Sequence, residues 1–316
     1  MTADSHHAGV HGSGHGAAGR AGAERFALVA LFCVLWSSAF AAGKIAIGTC
    51  PPLTFLAIRF VLAGVLMLGL AAASGRLRLP SLRDVAVLVL LGLLNNALYL
   101  GLNWSGMKTV SSAFSAIIVS ANPLLTAIAA ALVLGERLTA VRIAGLLLGM
   151  AGVALVMRAR LAGGVEAGAG TLLIVLGVLS LVAGTVLFKR LAPRTDLWTG
   201  NALQCLFAGL FLAPAALMLE DPASIVAGPA FFGTLAYMVV AVSLGAYWLW
   251  FYLLTVSSAT VASSLHFLMP PLGLLFGWMV LGEPVALADL AGIVPIAIGI
   301  RLVTRPVATP AFRRGR

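Results

Sequence analysis

Between residues 26 and 304 the chain reads as long apolar runs separated by short polar or turn-forming connectors. The runs fall near 26–47, 53–73, 83–104, 110–134, 139–157, 169–189, 198–219, 231–253, 257–281 and 286–304. Each approaches the roughly 20 apolar residues that a helix needs to cross a hydrocarbon layer about 30 Å thick. A helix also satisfies its own backbone hydrogen bonds where water cannot. The connectors, such as Pro51–Pro52, Ser74–Arg78, Gly135–Leu138, Pro193–Asp196, Glu220–Pro222 and Gly282–Pro284, are too short to hold a soluble domain. The pattern predicts an all-α polytopic membrane protein with ten transmembrane helices, whose function lies within the membrane region.

Composition points the same way. Of 316 residues, 61% are hydrophobic and 9% charged, whereas a soluble domain carries about 25% charged residues. Too little polar surface remains to face water. Residues 1–25 are rich in Gly, Ala and His (His6, His7, His11, His15) and are expected to form a disordered cytoplasmic tail. That tail is not a cleavable signal, because the apolar run behind it is long enough to span. A metal-collecting role for the tail's histidines is the alternative to a plain flexible extension, which the glycines and the lack of other nearby ligands favour. Cys33, Cys50 and Cys205 show no metal-ligand spacing, and no metal or cofactor is expected.

Basic residues orient the chain. With the N-terminus inside, fifteen Lys and Arg fall in cytoplasmic segments, among them Arg76, Arg78, Arg83, Arg137, Arg142, Lys189, Arg190 and Arg194. Four fall outside: Lys44, Lys108, Arg158 and Arg160. The positive-inside rule then places both ends in the cytoplasm of a bacterial-type inner membrane, with 305–316 as a basic tail. The net charge of +10 therefore reflects topology and calls for no nucleic-acid partner.

The chain also repeats itself. Thr109-Val110-Ser111-Ser112-Ala113 recurs as Thr255-Val256-Ser257-Ser258-Ala259, and Trp104 as Trp250. Pro123, Leu125, Gly135 and Glu136 then match Pro270, Leu272, Gly282 and Glu283, and Lys44 aligns with Lys189. Two units follow, 26–160 and 168–304. Each holds five predicted spans, an odd number, so the second must enter the membrane from the opposite side. Inverted repeats are a recurrent architecture of secondary transporters, because two such units can exchange inward-open and outward-open arrangements.

The same residues carry a family resemblance. Trp104 to Val156 resembles an EamA-type domain of the drug/metabolite transporter superfamily, especially Asn122-Pro123-Leu124 followed by Gly135-Glu136-Arg137-Leu138. Trp250 to Val303 resembles it again through Pro270-Pro271-Leu272 and Gly282-Glu283-Pro284. Leu35-Trp36-Ser37-Ser38-Ala39-Phe40 is similar to the family's first helix, and Pro52 through Arg59 to its second. The resemblance implies two inverted five-helix repeats around a cavity lined largely by helices three, four, eight and nine. The family includes exporters of amino acids and related metabolites, alongside importers.

Candidate site residues follow from depth and helical spacing. Ser120 and Asn122 lie about 15–18 Å into span four by helical rise, near the midplane, and His266 lies at comparable depth in span nine. Each precedes a proline, Pro123 or Pro270, expected to kink its helix and free carbonyls. Asn96, Tyr99 and Asn103 form a stripe on span three; Ser112, Ser115, Asn122 and Thr126 form one on span four. In span eight Ser243, Tyr247 and Trp250 share a face beside Trp248. Together with Ser263 these predict an uncharged, aromatic, hydrogen-bonding substrate site. Small polar residues also glue membrane helices together, so each carries a packing reading beside the binding one. His266 is a candidate for substrate contact or proton coupling, against a neutral imidazole bonded to Ser263 or a carbonyl. Arg59 is a candidate anion contact or a structural residue. The spacing of Gly145, Gly149 and Gly152 permits close helix packing.

No Asp or Glu lies deep in any span, which removes the usual ligand for Na⁺ or a multivalent cation. Protease signatures are absent. The expected function is non-enzymatic: a secondary carrier exporting amino acids or similar neutral or zwitterionic small molecules, with the lipid bilayer as surroundings. The oligomeric state stays open between monomer and homodimer. A passive channel or lipid-handling scaffold is the alternative.

Overall fold

The computed structural model describes residues 13–75, 77–110, 115, 118–161, 168–282 and 291–305. His6, His7, His11, Arg76, Ser112, Glu283 and Pro284 lie outside the described residues. Among the described residues the secondary structure is helical, without strands. We label the helices α1 (Ser13–Ile47), α2 (Pro52–Ala73), α3 (Leu82–Gly106), α4 (Asn122–Leu134) and α5 (Ala140–Leu161). The second half holds α6 (Ala169–Leu191), α7 (Leu197–Leu219), α8 (Pro229–Val256), α9 and α10 (Ile293–Thr304). In α9, Ala259–Ser264 and Met269–Leu281 flank a 3-10 turn, Leu265–Leu268.

Among the described residues, seven helices are long and apolar enough to cross a membrane, and three more, Asn122–Leu134, Ala140–Val156 and Ile293–Thr304, are shorter apolar helices. The shorter three fall within predicted spans four, five and ten. Helix α1 starts at Ser13, so part of the segment expected as an unstructured tail continues a helix. Ala17, Ala18, Ala21 and Ala23 favour this by their high helix propensity.

Local signals explain the helix ends. The Ser81 side chain accepts from the Asp84 N–H at the start of α3, Asp196 from Thr199 at α7, and Ser258 from Val261 at α9. Helices α4 and α9 both stop at a left-handed glycine, Gly135 (φ 70°) and Gly282 (φ 66°). A Cβ would be strained there, so the duplicated Gly-Glu pair marks the same stop twice. The irregular segments are duplicated too. Hydrogen bonds widen to the π pattern over Leu93–Leu98 in α3 and over Met238–Ala246 in α8. A turn at Ser120–Ala121 precedes α4, as the 3-10 turn precedes the second part of α9. Pro123 and Pro270 therefore sit in the first turn of a fresh helical segment, where proline's missing donor is no loss. The chain breaks just before these prolines rather than bending at them.

Packing is reciprocal between the halves. Helix α2 lies along α7 and α5 along α10, while α1 packs on α8 and α9 as α6 packs on α3 and α4. The α5–α10 contact uses the glycine spacing noted above. A Cβ on Gly145 would stand 2.8 Å from the Gly299 carbonyl oxygen, and one on Gly152 would stand 2.8 Å from that of Gly292. The stripe is filled from within the chain. Outward surfaces remain apolar, with Leu66, Leu70, Leu132, Leu172, Leu217 and Val294 exposed, as lipid contact requires.

Candidate functional site

A narrow cavity of about 50 Å³ opens between the halves, walled by α1, α2 and α3 of the first and α8 of the second. Trp36, Phe40, Gly43, Arg59, Tyr99, Asn103, Trp104, Met238 and Tyr247 line it. Gly43 keeps part of it open, since a Cβ there would lie 3.0 Å from the Trp104 ring. Trp36 rests on Tyr247 at 5.0 Å between ring centroids, and Trp104 stacks on Phe55 at 5.9 Å.

Arg59 is the charged group of this wall. Its side chain is buried, and Nε donates to Ser243 Oγ at 2.9 Å. The guanidinium carbon lies 4.9 Å from the Phe60 ring centre and 6.0 Å from that of Tyr247. Asn201 Nδ2 donates to the Ser243 carbonyl at 2.8 Å, which fixes the residue that receives Arg59. Arg59 Nη2 and the Tyr247 hydroxyl have no hydrogen-bond partner.

Of the residues predicted from sequence, Tyr99, Asn103, Tyr247 and Arg59 border the cavity. Ser115 lies behind Asn103, accepting from its Nδ2 at 3.2 Å. Asn96 is buried with both amide atoms unpartnered. Asn122 accepts from Thr126 Oγ1 at 3.1 Å and leaves Nδ2 unpartnered. Ser120 and Ser263 are buried, and Trp248 stacks on Tyr252 rather than on the cavity wall. His266 is set one layer back: Nδ1 faces the Ser263 carbonyl at 3.1 Å, Nε2 is unpartnered, and the ring meets Trp36 at 5.6 Å and Trp250 at 4.9 Å. The lining thus draws on α1 and α2, where the family resemblance pointed chiefly to helices three, four, eight and nine. Trp36, Phe40 and Trp104 were not among the expected site residues. For Trp36 and Phe40 the signal was the family-like segment Leu35–Phe40, and for Trp104 its recurrence as Trp250.

Two carboxylates tie the halves together away from the cavity. Glu136, just past α4, accepts from the Ala259 N–H at 2.7 Å, the Thr260 N–H at 3.2 Å and Thr260 Oγ1 at 2.6 Å, at the start of α9. Nearby Lys189 Nζ donates to the carbonyls of Leu254 and Ser257 at 2.8 and 2.6 Å, where α8 ends. Glu220, just past α7, caps α2 through the N–H groups of Leu53 and Thr54 and the Thr54 hydroxyl, and also meets Lys108 at 3.3 Å. A negative charge is favourable at a helix N-terminus. In the connector before α2, burial first and then Glu220 push the Cys50 thiol up to about 11, so it stays protonated and inert near neutral pH.

Known proteins resemble the chain in sequence and in fold. The chain is 30% identical over 279 residues to uncharacterized transporter YvbV of Bacillus subtilis (strain 168), covering 87% of this chain and 90% of that one. Uncharacterized inner membrane transporter YedA of Escherichia coli (strain K12) is 26% identical over 298 residues, 91% of this chain and 95% of its own. A Chlamydia trachomatis protein named S-adenosylmethionine/S-adenosylhomocysteine transporter is 27% identical over 293 residues, covering 87% and 88%. One solved crystal structure shares the fold with a TM-score of 0.73 at 21% identity, over 88% of this chain and 95% of that one. The model of the EamA-like transporter family matches twice, at residues 26–158 and 168–305. Those two matches coincide with the halves that pack reciprocally around the cavity, and the chain belongs to the EamA-like transporter family of multi-pass membrane proteins.

Proposed function

We propose that the protein is a secondary carrier that exports amino acids or related neutral and zwitterionic metabolites by alternating access. In this reading ten helices cross the inner membrane as two inverted five-helix repeats, with both termini cytoplasmic. The observation that carries it is the cavity itself, polar at Asn103, Arg59 and Tyr247, aromatic elsewhere, and walled by both repeats. A pocket shared by two similar units changes its exposure when the units rock. Helix-capping contacts such as Glu136 on α9 supply discrete closures that can break and re-form. The relative named for S-adenosylmethionine supports the substrate class, since that compound carries an amino-acid headgroup. Tyr99, Asn103 and Tyr247 contact substrate in the described arrangement. Asn96, Ser115, Ser120, Asn122 and Ser263 line the deeper path that opens when α4 and α9 move.

The purified protein in liposomes tests this. Saturable, labelled-for-unlabelled counterflow of an amino acid is the expected result, with tags at both ends reacting from the cytoplasmic face. Non-saturable flux would instead mean a channel, and tags on opposite faces would break the ten-crossing topology.

His266 serves in this scheme as a support for Trp36 rather than as a proton carrier, because aromatic rings and the Ser263 carbonyl surround it. His266→Gln is expected to weaken substrate affinity by about three- to ten-fold, the loss of one modest contact, and to leave the pH profile of transport between 6 and 8 unchanged. A profile flattened by the substitution would establish the proton role.

A further inference from the structure

We infer that Arg59 holds the carboxylate of the transported molecule, so that the cavity selects molecules presenting a single carboxylate; this rests on the reading of the cavity as the substrate site. Arginine keeps its charge in proteins and presents five donors in a planar fork. Here Nε is answered by Ser243 and two ring faces lie close, yet Nη2 has no partner although the side chain is 2% exposed. Burying an ionised group without a counter-charge is costly. Among the described residues no carboxylate forms an ion pair with Arg59; the acids that do pair, Asp84 and Glu220, sit near helix ends. The missing negative charge is therefore one that a ligand brings.

The wall also limits what that ligand is. Among the described residues Arg59 is the one charged side chain lining the cavity, so it balances a single negative charge, and a planar fork suits a planar carboxylate. The unpartnered Tyr247 hydroxyl, whose ring lies 6.0 Å from the guanidinium carbon, offers a further donor beside it. Trp36 and Trp104 present apolar faces for the rest of the molecule. The fold does not itself demand a guanidinium at this position. In the second repeat, 145 residues on, the equivalent place on α7 is Gln204, also buried and packed within the α2–α7 pair.

Tryptophan fluorescence of the purified full chain tests the assignment, because Trp36 and Trp104 border the site. Phenylacetate, 3-phenylpropionate and 4-methylpentanoate are titrated against their neutral amides. The acids are expected to saturate at concentrations at least ten-fold lower than the amides, the effect of one charged hydrogen-bonded contact. Arg59→Gln should erase that preference, Arg59→Lys should keep part of it, and Tyr247→Phe should weaken it. Equal affinity for acids and amides, no saturable binding of any acid, or a preference that survives Arg59→Gln would overturn the inference. The wild-type ratio decides even if Arg59→Gln fails to fold. Counterflow that persists without acid preference would sink the carboxylate site alone, whereas loss of saturable counterflow would sink the carrier reading beneath it.

Discussion

Gly152→Leu is expected to lower the melting temperature of the detergent-solubilised protein by roughly 5–10 °C and to cut the yield of monodisperse material. The reason is backbone contact. At this point α5 and the start of α10 meet almost backbone to backbone: a Cβ on Gly152 would lie 2.7 Å from Ile296 Cγ1, 2.8 Å from the Gly292 oxygen and 2.9 Å from the Ile296 nitrogen. In return, a Cβ on Gly292 would meet the Gly152 oxygen at 2.3 Å. Two of these obstacles to residue 152 are main chain and cannot rotate away, so the helices must separate. Overpacking of this kind costs about 1–3 kcal/mol, and separation further forfeits the packing that drives helix association in lipid. Gly273→Leu is the control. It lies in α9 with nothing within 4 Å of its virtual Cβ, and leucine is a better helix former than glycine, so its melting temperature should match or exceed that of wild type. Equal melting of wild type and Gly152→Leu would show that the seam is looser than these distances.

This seam illustrates what the sequence made legible. The Gly145, Gly149 and Gly152 spacing announced a close helix contact, but not its partner, because which helix fills a small-residue stripe is a long-range outcome. The same limit explains the site. Periodicity within one span picked out Tyr99, Asn103 and Tyr247, which do border the cavity. It passed over Trp36, whose place is set by α1 packing across onto α8 and α9. It equally passed over Asn95, buried on the π segment of α3 with its amide unpartnered, 2.0 Å from where a Cβ on Gly184 would sit. Arg59 was ambiguous in sequence because an arginine six or so residues into a helix reads as snorkelling until its neighbours are known. Depth suggested that Asn122 and His266 face the substrate, and for Asn122 the stripe on span four did so too. Neither lines the cavity in this arrangement, since depth along a helix says nothing about azimuth. The turn and the 3-10 segment before Pro123 and Pro270 were legible as irregularities but not in kind, because proline is accepted equally at a kink and at a fresh helix start.

Glu136 carries the second large expectation, for the conformational equilibrium rather than for stability. Its carboxylate accepts three hydrogen bonds from Ala259 and Thr260, and so fastens the end of α4 in the first repeat to the start of α9 in the second. Lys189, from α6, secures the neighbouring end of α8 through the carbonyls of Leu254 and Ser257. Hydrogen bonds to a charged group contribute about 1.5–3 kcal/mol, and 1.4 kcal/mol is about a tenfold change in an equilibrium constant. Removing the carboxylate should therefore raise the population of the separated arrangement roughly ten-fold or more. The reporter is Ala259→Cys in a background lacking the three native cysteines, since Ala259 is fully buried beneath the Glu136 carboxylate. In nanodiscs, where both faces are open to reagent, Glu136→Ala should accelerate its labelling by a membrane-impermeant maleimide at least ten-fold. Glu136→Gln, which retains acceptor capacity without charge, should fall between. Glu220→Ala loosens α2 instead and should leave the rate at position 259 unchanged. Labelling that ignores Glu136 would mean that α9 is held by its apolar contacts alone, and that this junction is no gate.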